Sequence, residues 1–273
     1  MRQDPNAAVE RLETCSLSAV SRVASMLDVG LDGVGPGAPL PLGWHFILLG
    51  ADTTRSQLRA DGFPGLGVSL PDLGLPRVLQ TGREITFHGE IPVGAEVARR
   101  STIEGVERKT TRSGDVAFVT TRHELKPVNG IVALSETQTF VLMPATTYQE
   151  PGKEPAAPIT LNAPKVIKPD DTLLFQYSAL GFNSHKIHLD REYARSVEGF
   201  PELVVNGGLI ALMLTEYLRI DLGIAPSGIK IRYLAPLFSN RALTIAHEER
   251  AGQLVIKVFN DQGKVAGEME VAR

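Results

Sequence analysis

The chain has 273 residues, 43% of them hydrophobic, with 28 Lys and Arg against 31 Asp and Glu. That is enough apolar material for a substantial core in one or two domains, and a net charge of −3 leaves no nucleic-acid footprint. Cys15 alone forms no internal disulfide, Met1 to Asn6 lacks the apolar centre of a signal peptide, and no apolar run is long enough to span a membrane, so a cytoplasmic protein with no membrane association is expected.

In chain order, Val9 to Leu27 is predicted to form an N-terminal helical segment, and Gly30 to Pro41, rich in glycine and proline, a loop. Strand-like runs follow at Arg83 to Glu90, Gly94 to Lys109, Gly114 to Glu124 and Gly130 to Met143. Pro144 to Pro158 is turn-prone and without periodicity, which sets a linker at 146–160 between domains at 1–145 and 161–273. Asp171 to Ser178 reads as a strand and Arg191 to Ser196 as helical. A mostly apolar helix begins at Gly207, with Asn206 as its N-cap and Leu209, Leu212, Met213 and Tyr217 facing the core. Four more strands are predicted at Gly228 to Leu234, Ala242 to Glu249, Leu254 to Asn260 and Lys264 to Val271. The two strand sets repeat one pattern: the run from Ile85 parallels the run from Ile229, each alternating and ending in proline and a bend. Two like domains sharing one sheet or interface are therefore expected.

The connection Gly181 to Asp190 crowds amide, imidazole, ammonium and carboxylate groups at Asn183, His185, Lys186, His188 and Asp190. A metal site is not expected, because it needs three or four converging ligands, and the chain has one cysteine and no glutamate at zincin spacing. A solvated loop that happens to carry two histidines is the rival reading. The helix starting at Gly207 and Gly208 weighs against it, since unpartnered first-turn N–H groups suit an oxyanion. His45, His88 and His123 have no accompanying motif and are read as structural or surface residues.

The order of Asn183 to Asp190, then Gly199 to Leu209, a long helix and strands resembles the MaoC-like hydratase and dehydratase superfamily. Within it the chain is similar to the double-hot-dog hydroxyacyl-thioester dehydratase type 2 group, which includes mesaconyl-C4-CoA and itaconyl-CoA hydratases. Pro41 to Trp44, Leu70 to Arg77, Thr81-Gly82 and Arg112 to Val119 extend the likeness into the first half. The resemblance implies an α+β fold of two antiparallel sheets, each wrapped around a long helix, and a homodimer. It also implies one active site per chain, since nothing like Asn183 to Asp190 occurs before the linker.

The implied activity is reversible addition of water to an α,β-unsaturated acyl-CoA, a hydro-lyase reaction in which coenzyme A enters with the substrate and no cofactor is needed. The broader pattern is Gly-Asp-x-Asn-Pro-Ile-His-x-Asp, so alignment on His188 and Asp190 puts Asn183 at the aspartate and His185 at the asparagine, as in the type 2 group. His188 is then the general base, Asn183 the holder of water, and Gly207 and Gly208 the enolate donors. His185 either protonates the α-carbon or supports Asn183, and Asp190 is a loop or helix-cap acceptor. Asn206 stands where the family generally has a histidine. For a dicarboxylic acyl chain, Arg77, Lys186 and Arg232 are the candidate cations. The alternatives are an acyl-CoA thioesterase on the same fold and a non-catalytic acyl-thioester-binding protein; an amide at position 183 disfavours the thioesterase, which needs a carboxylate to activate water.

Overall fold

A computed structural model describes residues 8–68, 73–111, 114–145, 147–149, 152 and 158–273. Leu70 to Asp72, Arg112, Ser113 and most of the expected linker lie outside the described residues. The first part comprises β1 (Val9–Thr14), α1 (Leu17–Leu27), β2 (Arg77–Phe87), β3 (Glu96–Thr111), β4 (Gly114–Pro127) and β5 (Leu134–Met143). The second comprises β6 (Asn162–Ile167), α2 (Asp171–Leu180), α3 (Arg191–Ser196), α4 (Gly207–Glu216), β7 (Gly228–Tyr233), β8 (Leu243–Arg250), β9 (Gln253–Phe259) and β10 (Val265–Ala272).

All ten strands form one antiparallel sheet in the order β1-β3-β4-β5-β2-β7-β10-β9-β8-β6. Each half has the same internal order, and β2 and β7 join the halves edge to edge. Ile85 pairs with Ile229 there, flanked by Glu84 with Lys230 and Thr86 with Gly228. These are the residues the sequence repeat puts in equivalent places, so a pseudo-twofold axis passes between the two isoleucines. Alternation fixes the register: in β7, Ile229 and Ile231 are buried while Lys230 and Arg232 face outward.

α4 is apolar nearly all round and is buried from Leu209 through Glu216, packed with Ile229, Ile245, Ile256 and Met269 of the second half-sheet. It continues as a π-helical turn over Tyr217–Asp221. The first half's α1 is capped by Ser16 and buries Val20, Val23, Ala24 and Met26 in the same core.

Two sequence expectations are corrected. Val9 to Leu27 is not one helix: β1 pairs with β3 before Ser16 starts α1. Asp171 to Ser178 is helical, not a strand, because the Asp170 carboxylate accepts the Leu173 N–H at 2.8 Å and Leu174, Tyr177 and Ser178 share the buried face.

Candidate active site

The site is assembled where α2 ends and α4 begins. Phe182 takes the left-handed conformation (φ +48°) and Asn183 N–H closes on Ser178 O at 2.8 Å, a Schellman-type end that sets Asn183 immediately beyond the helix. The Asn183 side-chain oxygen accepts His185 N–H at 3.0 Å, which leaves its NH2 uncommitted. A short 3-10 turn, Lys186–His188, then carries His188 inward, and Asp190 caps α3 by accepting Tyr193 N–H, as expected.

His188 is buried, and its Nδ1 lies 2.7 Å from Val204 O. Only Nδ1–H can make that bond, so the Nε2 lone pair is left to accept a proton. Burial lowers its pKa to about 4 against the opposing bond to Val204, so the ring is neutral near pH 7. His185, whose ring meets that of His188 nearly at right angles 5.4 Å away, is also held neutral, well below its ordinary pKa, by burial and then by His188 and Arg59.

The first half docks against this motif. Lys186 N–H donates to Asp61 O at 2.8 Å, Ser184 Oγ to Gly62 O at 2.7 Å, and Lys186 Nζ to Ala60 O at 2.7 Å. Gly62 has φ +75°, and a Cβ there would collide with Ser184 O. The same turn places the buried Asp61 carboxylate 3.7 Å from His185 Nε2, an atom with no hydrogen-bond partner. Phe63 N–H and Arg59 hold Asp61 from the other side.

At the start of α4 the first intrahelical bond is Ile210 N–H to Asn206 O, at 3.0 Å, so the N–H groups of Gly207 and Gly208 precede it. Asn206 sits at the cap position but its side chain does not cap: its NH2 donates to Ser178 Oγ at 3.3 Å, and its Oδ1 is buried without a partner. The expected side-chain cap is thus replaced by a tie to α2. Asn183, His185, His188, Asn206, Gly207 and Gly208 all line one cavity of about 300 Å³, whose opposite wall includes Phe63, Val78, Gln80, Arg83 and Phe140 of the first half.

The three candidate cations are not on that wall. Arg77 is bonded to the buried Glu198 and lies over the Phe200 ring; Lys186 is committed to Ala60 and the Tyr193 ring; Arg232 projects outward to Glu268. Arg83, which the sequence reading did not single out, is on it. It is buried, its Nη1 is 3.0 Å from Glu136, and its Nε has no partner. Burial opposes ionisation of Glu136, but Arg83 and His45 outweigh it and hold the carboxyl down at about 2. Arg83 has the inward parity of Ile85 on an alternating strand, a signal available in the sequence. Asp61 carried no such signal. His123 lines the cavity too, bonded to Ser101 at 2.9 Å, with burial lowering its pKa to about 4.

With the geometry in hand, residues 43–239 match the family described as hydroxyacyl-thioester dehydratase type 2. The chain belongs to that family. It is 36% identical over 208 residues to mesaconyl-C4-CoA hydratase of Chloroflexus aurantiacus, covering 74% of this chain and 72% of that protein. It is 27% identical over 241 residues to the mitochondrial hydroxyacyl-thioester dehydratase type 2 of Schizosaccharomyces pombe, 80% of each. In fold it matches a MaoC-like dehydratase (TM-score 0.69, 14% identity, 99% and 98% of the two chains) and a Mycobacterium tuberculosis protein with a double hot-dog fold (TM-score 0.60, 16% identity, 98% and 95%). The fold is the double hot-dog, and the family makes the chain an acyl-thioester hydratase or dehydratase, a hydro-lyase. Among the described residues no helix is long and apolar enough to cross a membrane.

Proposed function

We propose that this enzyme adds water reversibly to a short dicarboxylic enoyl-CoA such as mesaconyl-C4-CoA or itaconyl-CoA, with His188 as the base. The observation that carries the reading is the neutral His188 ring, tied at Nδ1 and open at Nε2, on the same cavity as the two leading N–H groups of α4. Water held by the Asn183 NH2 gives its proton to Nε2 as its oxygen bonds to the β-carbon. Charge passes to the thioester oxygen, where Gly207 and Gly208 N–H donate, and the α-carbon then takes the proton from His188 Nε2, which restores the neutral base. His185 supports Asn183 through its backbone, with Asp61 behind its ring. Arg83, the cation on the wall, meets the distal carboxylate; the 36% identity to a mesaconyl-C4-CoA hydratase supports that choice. Coenzyme A enters as part of the substrate, with no cofactor or metal. In this reading 161–273 carries the catalytic groups, 1–145 closes the acyl pocket, 146–160 links them, and the protein is a cytoplasmic homodimer, which light scattering tests.

The test is loss of enoyl-thioester absorbance with crotonyl-, mesaconyl- and itaconyl-CoA. Wild type is expected to prefer the dicarboxylic substrates and His188→Ala to lose turnover. Arg83→Gln/Glu136→Gln, which leaves no buried charge unpaired, is expected to erase the preference while keeping crotonyl-CoA hydration. Release of free thiol without hydration would replace this reading with the thioesterase.

A further inference from the structure

The pseudo-twofold axis between Ile85 and Ile229 relates every part of the catalytic cavity to a place in the other half. Gln80 and Thr81 line that cavity from β2, and Tyr233, Leu234 and Ala235 from the end of β7. Their counterparts across the axis are Ile224 and Ala225, and Gly89, Glu90 and Ile91. All five line a second cavity, of about 320 Å³, on the far side of the sheet junction. It is the symmetry mate of the catalytic cavity, kept open but relined. Leu40, Leu42, Phe87 and Leu134 make its walls apolar, and no α-helix begins there: a short 3-10 turn, Trp44–Leu48, starts beside it with the Trp44 N–H already bonded to Pro41 O, and the end of α4 arrives through Thr215, Leu218 and Arg219. Without an α-helix start it lacks the pair of leading N–H groups that Gly207 and Gly208 present in the catalytic cavity.

One polar group at this cavity is unexplained. His45 lines it and is 2% exposed. Its Nε2 lies 2.6 Å from Glu136; in the tautomer whose Nε2–H donates there, Nδ1 carries a lone pair, and it is buried with no partner. The carbonyl end of α4 adds a second preference for donors over anions. Apolar walls and an orphaned acceptor select a neutral aliphatic molecule carrying one donor.

We propose that this relined cavity is a second small-molecule site, binding a neutral aliphatic alcohol or amide whose O–H or N–H donates to His45 Nδ1. Glu136 joins His45 to Arg83 on the catalytic wall, so occupancy changes the kinetics of hydration.

Trp44, the only tryptophan, is buried beside His45 and reports on the site independently of activity. The experiment titrates the full chain with 1-hexanol, hexanamide and hexanoate while following Trp44 fluorescence, and repeats the hydration assay over the same range. The alcohol and the amide are expected to give saturable changes and hexanoate none. Ala225→Phe and Gly89→Leu, on opposite exposed lips, should each weaken binding about tenfold, or about 1.4 kcal/mol, and remove the kinetic effect. If one lip variant unfolds, the other decides. A wild type with no saturable response, lip variants that bind as well as wild type, or hexanoate binding as tightly as hexanol overturns the proposal.

Discussion

His185 and His188 stand three residues apart, yet their surroundings give them different work. The Nδ1 of His188 is spent on Val204 and its Nε2 is open, whereas His185 uses its backbone N–H on Asn183 and turns its ring to Asp61. His188→Ala is accordingly expected to lower kcat by about 10²- to 10⁴-fold, the usual worth of a general base. His185→Ala keeps the backbone donor and should cost much less. If Asp61 acts by positioning the His185 ring, Asp61→Asn should lower kcat by the same factor as His185→Ala, with the double variant no worse; additive losses would show that the two act separately. The pH profile is a further check. With the His188 pKa lowered to about 4, kcat/KM should stay level from pH 8 to 5 and fall only as the ring protonates, whereas an inflection near 6.5 would mean that burial does not depress the base. That Asn183, His188 and the glycine pair meet at one cavity was legible, because their types and spacing fall along one stretch of the chain. Asp61 was not, because its contact with His185 crosses between the halves, and no local pattern records a contact of that kind.

The glycines at the start of α4 do more than leave N–H groups free. A Cβ on Gly208 would run into the Tyr177 hydroxyl, and one on Gly207 would come 2.6 Å from the Gln80 side-chain oxygen. Tyr177 cannot swing aside readily, since its ring stacks on Phe46 with centroids 4.5 Å apart. Gly208→Ala should therefore destabilise the fold by about 1–3 kcal/mol in denaturant unfolding, and Tyr177→Phe in the same chain should recover part of that loss. No recovery would mean that α4 itself shifts instead. From the sequence these glycines were read as the donors of free N–H groups, and the side chains that crowd them were invisible. The α2 segment shows the opposite case. Leu173, Leu174 and Phe175 look like a strand, yet the cap at Asp170 and the burial of Leu174, Tyr177 and Ser178 make it a helix. Periodicity over eight residues was too short to separate the two, and the capping aspartate was the signal that should have decided it.

At the scale of the whole molecule, duplication explains why the catalytic cavity has a symmetry mate that lacks its constellation. The strands of both halves were legible, because alternation survives divergence of the residues, and the pairing of Ile85 with Ile229 is what an internal repeat demands. The junction of the halves was only half legible: a shared sheet or interface was expected, but which edges meet depends on partners distant in sequence. The junction has an energetic consequence, because burying the catalytic wall between halves also buries three imidazoles, His123, His185 and His188. Desolvation lowers all three, two of them to about 4, against about 6.5 in an unfolded chain. Their pKa values are lower folded than unfolded, so between pH 6.5 and 4 the unfolded chain takes up protons that the folded chain refuses. Stability is whole above pH 6.5 and falls as pH drops, by about 1.4 kcal/mol per pH unit for each histidine in that window. Glu136, held at about 2, adds a loss of the same sign lower down, below its ordinary 4.5. The thermal midpoint should thus be flat from pH 8 to 7 and decline steadily to pH 4. His123→Gln, which removes one imidazole and leaves the motif intact, should make the decline shallower by about one proton's worth. A midpoint unchanged between pH 7 and 5 would mean that these rings titrate like exposed ones, and that the wall between the halves is open to water.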